Sequence, residues 1–401
     1  MPLKFRFRML RLGMAAAIIS VLAGALPARA ATPPVSLTPA TGDPILHVTL
    51  SRPIYHIQPD GPSMPRDVVA TATVENWPAS LPRPVTFTWQ VLLDWNNPVY
   101  PTHHSINTRT FTHASPFKID FGSEIRGGLL TVIACIPRPG GGALHGKGYA
   151  YVLGENPPRR LVLSAYPRTR FGLIASKIGT AESGLRQFTS SKGAEPGGWP
   201  LVSRTGDLGM MQLNAPSGAV QSADEVWDWR ANVRRGLLML AGKRQTTELA
   251  SRHAVLLERT PEDFLSSVSC LNFVRGMVGL APLAPPKISP LSGQPGTGLL
   301  PGDPDPDHLK LSQIEREEIR RYNGGCEYTF GVSIDPNKLT FRDAGWQIDP
   351  MRGGISPTKG DPNYVLHVLC ARSGLTLPPP NQPMRRHGHW RGHRRHRRHR
   401  R

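Results

Sequence analysis

The hydrophobic period of this chain changes once, across "GENPPRR" (154–160), and that change decides what each side of it can fold into. From Ile45 to Leu153 the apolar residues come in short runs rich in β-branched and aromatic side chains: "ILHVTL", "VVATATVEN", "PVTFTWQVLL" and "GGLLTVIACI". Turn-type clusters such as "IPRPGGG" separate them, which predicts strands. Within "VTFTWQVLL", Val85, Phe87, Trp89 and Val91 alternate onto one face, as a half-buried strand requires. Several strands at this spacing predict a β-sandwich over residues 45–155. Beyond the boundary Phe171, Leu173, Ile174 and Ile178 fall at helical spacing. Further helices are expected over 227–240, with Val233, Leu237 and Leu240 on one side, and over 246–257 and 311–322. The chain therefore reads as an α+β multidomain protein, with a mainly α domain over 161–375.

Four segments stand apart. Lys4, Arg6, Arg8 and Arg11 precede an apolar core (12–26) and the small-x-small site Ala28-Arg29-Ala30, a secretory signal with cleavage expected before Ala31. That predicts a secreted or periplasmic protein, with residues 31–44 as a linker. Residues 281–308, with their many prolines and glycines, cannot hold a regular helix or a central strand. A mobile insertion is expected there. Its "DPDPD" does not complete a calcium loop, because His308 stands where glycine is needed and Ile314 where glutamate is needed. Residues 376–401 end in an arginine- and histidine-rich tail expected to be disordered.

The net charge of +19 is concentrated at the two ends. The signal region carries five of these charges and the tail nine, which leaves +5 for residues 31–384. The body is only mildly basic, so no specific nucleic-acid partner is expected. The tail is expected to meet anionic envelope polymers instead. Cys135, Cys270, Cys326 and Cys370 form no CxxC or zinc spacing, so neither metal nor cofactor is expected. Export permits disulfides, and one pair is expected among the three cysteines beyond residue 260. Trp89 and Cys135 together resemble the core of an immunoglobulin-like sandwich, although no second cysteine stands where an inter-sheet bridge would need it.

Three short motifs follow the boundary in order: Glu182-Ser183-Gly184, then Gly209-Met210-Met211-Gln212-Leu213, then Tyr322-Asn323-Gly324-Gly325. With "WRANVRRGLLML", which holds Asn232 and Gly236, they resemble the soluble lytic transglycosylases, whose catalytic domain has a lysozyme-like helical fold. The resemblance covers residues 161–369, interrupted by the proline-rich insertion. It departs from the pattern at Arg321, where alanine usually precedes the tyrosine.

The resemblance implies peptidoglycan glycan strands as substrate and Glu182 as a single catalytic acid and base. Burial in an apolar cleft raises a carboxyl pKa, so that a glutamic acid can still deliver a proton to a glycosidic oxygen near neutral pH. Most glycosidases need a second carboxylate. A lytic transglycosylase instead uses the sugar's N-acetyl group and then draws the proton from the muramic C6 hydroxyl, leaving a 1,6-anhydro ring. The resemblance also implies Gln212 and Met211 lining the cleft, Tyr322 with its hydroxyl against the glutamate or the N-acetyl group, and Ser183 and Asn323 in support. Taken alone, Glu182 reads as a solvated surface group, 322–325 as a helix stop, and Asn232 as solvent-facing. Trp199, Trp227 and Trp229 read as sugar-stacking or core side chains. Asp207 stands close enough to the second motif to supply a second carboxylate, which keeps a lysozyme-like hydrolase open as an alternative. A non-enzymatic wall-binding protein is the other.

Overall fold

A computed structural model describes residues 42–95, 97, 106–107, 111–255, 262–284, 290–296, 303–304, 306–348, 360–361 and 363–377. The expected signal segment, most of the linker and the Arg/His tail from 378 onward lie outside the described residues. The chain is a mixed α and β protein. Its elements run β1 (Ile45–Leu50), β2 (Ile54–His56), β3 (Val69–Glu75), β4 (Thr86–Asp94), β5 (Ile106–Asn107), β6 (Phe111–Ala114), β7 (Phe117–Lys118), β8 (Gly128–Pro137) and β9 (Ala143–Leu153). Then come α1 (Arg159–Ser164), α2 (Arg170–Ser183), β10 (Asp207–Leu208), β11 (Leu213–Asn214), α3 (Ala223–Trp227), α4 (Trp229–Val255) and α5 (Glu262–Met277). The chain continues with α6 (Gln313–Tyr322), β12 (Tyr328–Asp335), β13 (Thr340–Ile348) and α7 (Tyr364–Cys370).

The strand region forms two sheets. One has the order β1-β3-β7; the other has the order β2-β9-β8-β4-β5, with β6 also pairing β4. All pairs are antiparallel except β2 with β9. In β4 the core face is Phe87, Trp89, Val91 and Leu93; Val85 lies before the strand and is 75% exposed, so the expected face is displaced by one pair. Strand β9 escapes the sequence pattern because it is interrupted by glycines. Their use is steric: a Cβ at Gly146 would stand 2.5 Å from the Leu46 carbonyl oxygen, so β1 lies directly against β9. Trp89 and Cys135 do not meet. Trp89 pairs with Ala134 and faces the core beside Phe87 and Phe117, whereas Cys135 pairs with Thr88 on the opposite face.

The boundary at 154–160 is a change of secondary structure and not a gap between bodies. Gly154 N donates to the Gly198 carbonyl (2.9 Å), and Ile125 N donates to Asp224 Oδ1 (2.9 Å). Trp227 packs on Trp95 from the strand region, and Trp199 packs edge-on to Tyr151. One buried apolar core runs through both regions. Trp227 and Trp229 belong to it, which makes them core side chains. Helix α4 is continuous where two helices are expected, and Asp228 separates it from α3 in extended conformation. The region is less helical than expected, since β12 and β13 form an antiparallel hairpin.

The described parts of the proline-rich insertion are pinned, contrary to a mobile excursion. Leu291 is buried and its N–H donates to Ser251 Oγ (2.7 Å); Ser292 N donates to Gln313 Oε1 (2.9 Å). Asp303 pairs with the buried Arg316 at 2.6 Å and Asp307 with the buried Lys177 at 2.6 Å. Proline removes regular backbone pairing, but side chains supply the anchors. The expected disulfide among Cys270, Cys326 and Cys370 is not formed.

Candidate active site

Helix α2 delivers Glu182 to its own end. Thr169 caps its start by accepting Gly172 N–H, and the apolar residues Leu173, Ile174 and Ile178 bury it in the core. Gly184, at φ 67°, turns the chain out of the helix two residues after the glutamate. Glu182 is half-buried, unlike a solvated surface group.

Facing it is the turn 209–212, whose backbone is gripped by four side chains from four places in the chain. Met210 N donates to Gln187 Oε1 (2.9 Å) and Met211 N to Asn232 Oδ1 (2.8 Å). Ser183 Oγ donates to the Met210 carbonyl (2.7 Å), and Tyr322 Oη donates to the Met211 carbonyl (2.7 Å). Gly209 is required at the start, since its φ is 71° and a Cβ would stand 2.5 Å from Gln187 Nε2. Gln212 follows at φ 46°, with Nε2 donating to the Gly209 carbonyl at 2.7 Å. A non-glycine residue in this region persists only where the surroundings over-determine it, as here.

Several expected roles are corrected by these contacts. Met211 does not line a cleft. Its side chain is wholly buried, and its sulfur accepts the Tyr166 hydroxyl at 3.2 Å. Tyr322 does not hold the glutamate; its hydroxyl is spent on the turn. Asn232 is buried rather than solvent-facing, with its amide also donating to the Leu208 and Glu225 carbonyls. Asn323 acts through α7: its Oδ1 accepts Asp361 N–H at 2.5 Å, in the loop that leads into that helix.

The hydroxyl that reaches the acid is Tyr364, the first residue of α7, which donates to Glu182 Oε1 at 2.5 Å. Sequence reasoning missed Tyr364 and Gln187. A tyrosine heading a short apolar run after "DPN" was the only local signal for the first. Nothing local marked the second, a glutamine whose partners lie tens of residues away.

Burial pushes the Glu182 carboxyl up to about 7; the Tyr364 hydrogen bond opposes this, and the negative charges of Asp207 and Asp361 add to it. Burial also holds the Tyr322 and Tyr364 hydroxyls well above the usual phenol range, with the Glu182 charge contributing. Both stay protonated donors. Asp207 is engaged by three side chains: Oδ1 accepts Asn214 Nδ2 (2.6 Å), and Oδ2 accepts Ser203 Oγ (2.7 Å) and the Thr205 hydroxyl. Among the described residues no group of three or more His, Cys, Asp or Glu could hold a metal ion. None of their helices is long and apolar enough to cross a membrane. The arrangement can hold a proton on a carboxyl near neutral pH beside a rigid polar turn, which is the requirement for a general acid. No protein-family model matches the chain, and neither a curated protein nor a solved structure matches it.

Proposed function

We propose that this protein is a peptidoglycan lytic transglycosylase, with an immunoglobulin-like strand region and a lysozyme-like helical region. The observation that carries this reading is the lone, half-buried Glu182, raised to about 7 and held by Tyr364. At neutral pH about half of such a carboxyl is protonated, so one group serves as acid and then as base. As acid it protonates the glycosidic oxygen while the N-acetyl group of the muramic sugar assists departure. As base it takes the C6 hydroxyl proton, and the 1,6-anhydro ring closes. Gln212, on the gripped 209–212 turn, is read as the side chain that hydrogen-bonds the substrate. Asp207, the candidate second carboxylate, is already engaged by Asn214, Ser203 and Thr205, which supports this reading over the hydrolase.

Digestion of purified peptidoglycan tests the reading. Anhydro-muramic ends in the mass spectrum are expected; reducing ends would assign a hydrolase, and no released muropeptide would leave a wall-binding protein. Glu182→Gln keeps the size of the side chain and removes the proton, so cleavage should fall by about 10²–10⁴-fold. Turnover unchanged in that variant would refute the role of Glu182.

A further inference from the structure

The tip formed by the end of α5 and the turn after it presents apolar side chains to solvent. Phe273 is 70% and Met277 73% exposed, on one helical face; Val278 (59%) and Leu280 (43%) follow directly. Of the eleven large apolar side chains exposed among the described residues, four fall within these eight positions, so the exposure is a patch and not the usual scatter. The tip is built rather than frayed. Arg275 is buried beneath it, donating through Nε to the Ala281 carbonyl (2.8 Å) and through Nη1 to the Leu339 carbonyl (2.9 Å). Asn272 pairs with both backbone groups of Leu283, and Leu280 N donates to the Arg275 carbonyl (2.9 Å). The backbone polar groups are thus turned inward and the apolar side chains outward.

Charge identifies the occupant. Between Asp263 and Asp303 the sequence holds no Asp or Glu, and its only charges are Arg275 and Lys287. The β12–β13 turn anchored to Arg275 adds exposed Lys338, and its one acid, Asp335, accepts the Asn337 and Lys338 N–H groups. An apolar tip whose own run of sequence holds no acid, with exposed Lys338 on the turn anchored to it, is complementary to an anionic bilayer surface.

We propose that this tip inserts into the interfacial layer of an anionic phospholipid membrane, with Phe273 and Met277 as the anchors. The apolar contact is then independent of salt, whereas any contribution of the Arg/His tail is screened away at high salt.

Flotation of the full-length protein with vesicles of phosphatidylglycerol and phosphatidylcholine tests this, beside vesicles of phosphatidylcholine alone. Binding to the anionic vesicles is expected, with about tenfold weaker partition for the Phe273→Ser/Met277→Ser double variant. Both side chains are exposed, so thermal unfolding of the variant should match the parent. A separate Phe273→Trp variant places an indole at the tip. On adding anionic vesicles its emission, with the parent's subtracted, should shift to the blue. Undiminished flotation of the double variant, or an unshifted difference emission of the Phe273→Trp variant, would overturn the proposal. So would a parent dimer in sedimentation that the double variant dissociates, since the tip would then meet a second copy of the chain.

Discussion

The strand region and the helical region are stabilised in different ways although they share one core. From β1 to β9 the buried side chains are apolar; every buried polar or charged side chain among the described residues lies from Ser176 onward. There Lys177, Arg316, Glu317 and Glu318 are all buried, beside the buried amides Gln187 and Asn232. Apolar burial is tolerant of exact geometry, whereas a buried charge is tolerable only with its partners in place. The helical region therefore accepts costly polar burial to fix positions: Gln187 and Asn232 hold the 209–212 turn, Lys177 holds the end of α7 through the Leu369 and Ala371 carbonyls, and Arg316 and Glu317 hold Asp303, Glu327 and the start of β12. Glu318 marks the limit of this arrangement. It is fully buried with no hydrogen-bond partner for either oxygen, and Arg244 stands 3.8 Å away. Burial, opposed by Arg244 and aided by Glu315 and Glu248, pushes its carboxyl up to about 8.

The comparison breaks most severely at the proline-rich insertion. Deleting 281–308 removes Leu291, Asp303 and Asp307 together, leaves Arg316 and Lys177 short of partners, and is expected to cost more than about 5 kcal/mol. A cooperative urea transition at the parental midpoint would show that the anchors carry nothing. Next come two buried replacements, one from each region. Leu130→Ala in the strand region should cost about 2–5 kcal/mol at every pH. Arg316→Met should cost about 3–5 kcal/mol near neutrality, less in acid where the stranded Asp303 and Glu327 can protonate. Equal pH dependence of the two variants in urea melts would erase the distinction between the regions.

Smaller effects sharpen it. The Glu318 carboxyl is raised on folding, so its contribution to stability is full below about 4.5 and is lost as pH rises through about 8. Glu318→Gln should therefore flatten the fall of the unfolding free energy between pH 5 and 9, by an amount on the order of a few kcal/mol. An unchanged slope would mean that Glu318 is not the titrating group. The smallest effect on stability is expected from Tyr364→Phe, under about 1 kcal/mol, yet it should move the pH profile of cleavage. Activity that needs protonated Glu182 falls as pH rises through about 7. Removing the hydrogen bond that favours its charged form should carry that fall to higher pH. A profile that stays in place, or moves down, would take Tyr364 out of the acid's environment.

Local pattern in the sequence determined the strands from β1 to β8 that alternate cleanly, helix α2 with Glu182 at its end, and the order of the three motifs. Period and turn chemistry are local properties, and they survive without knowledge of neighbours. Strand β9 was hidden because its glycines are there for close packing against β1, and close packing is not a local property. The same holds for the site. Glu182 was singled out as a candidate from its motif, but its partner Tyr364 lies 182 residues further on, and the charge it feels from Asp361 is brought by the loop leading into α7. Tyr322 was expected against the glutamate or the N-acetyl group, and only the fold could show that its hydroxyl donates to the Met211 carbonyl while Tyr364 reaches Glu182. The insertion was misjudged for the same reason. Composition argued against regular structure there, and the described residues of 281–308 hold no helix or strand, but whether Asp303 and Asp307 face water or a buried cation is decided by tertiary packing, because a salt bridge depends on a partner that the local sequence does not contain.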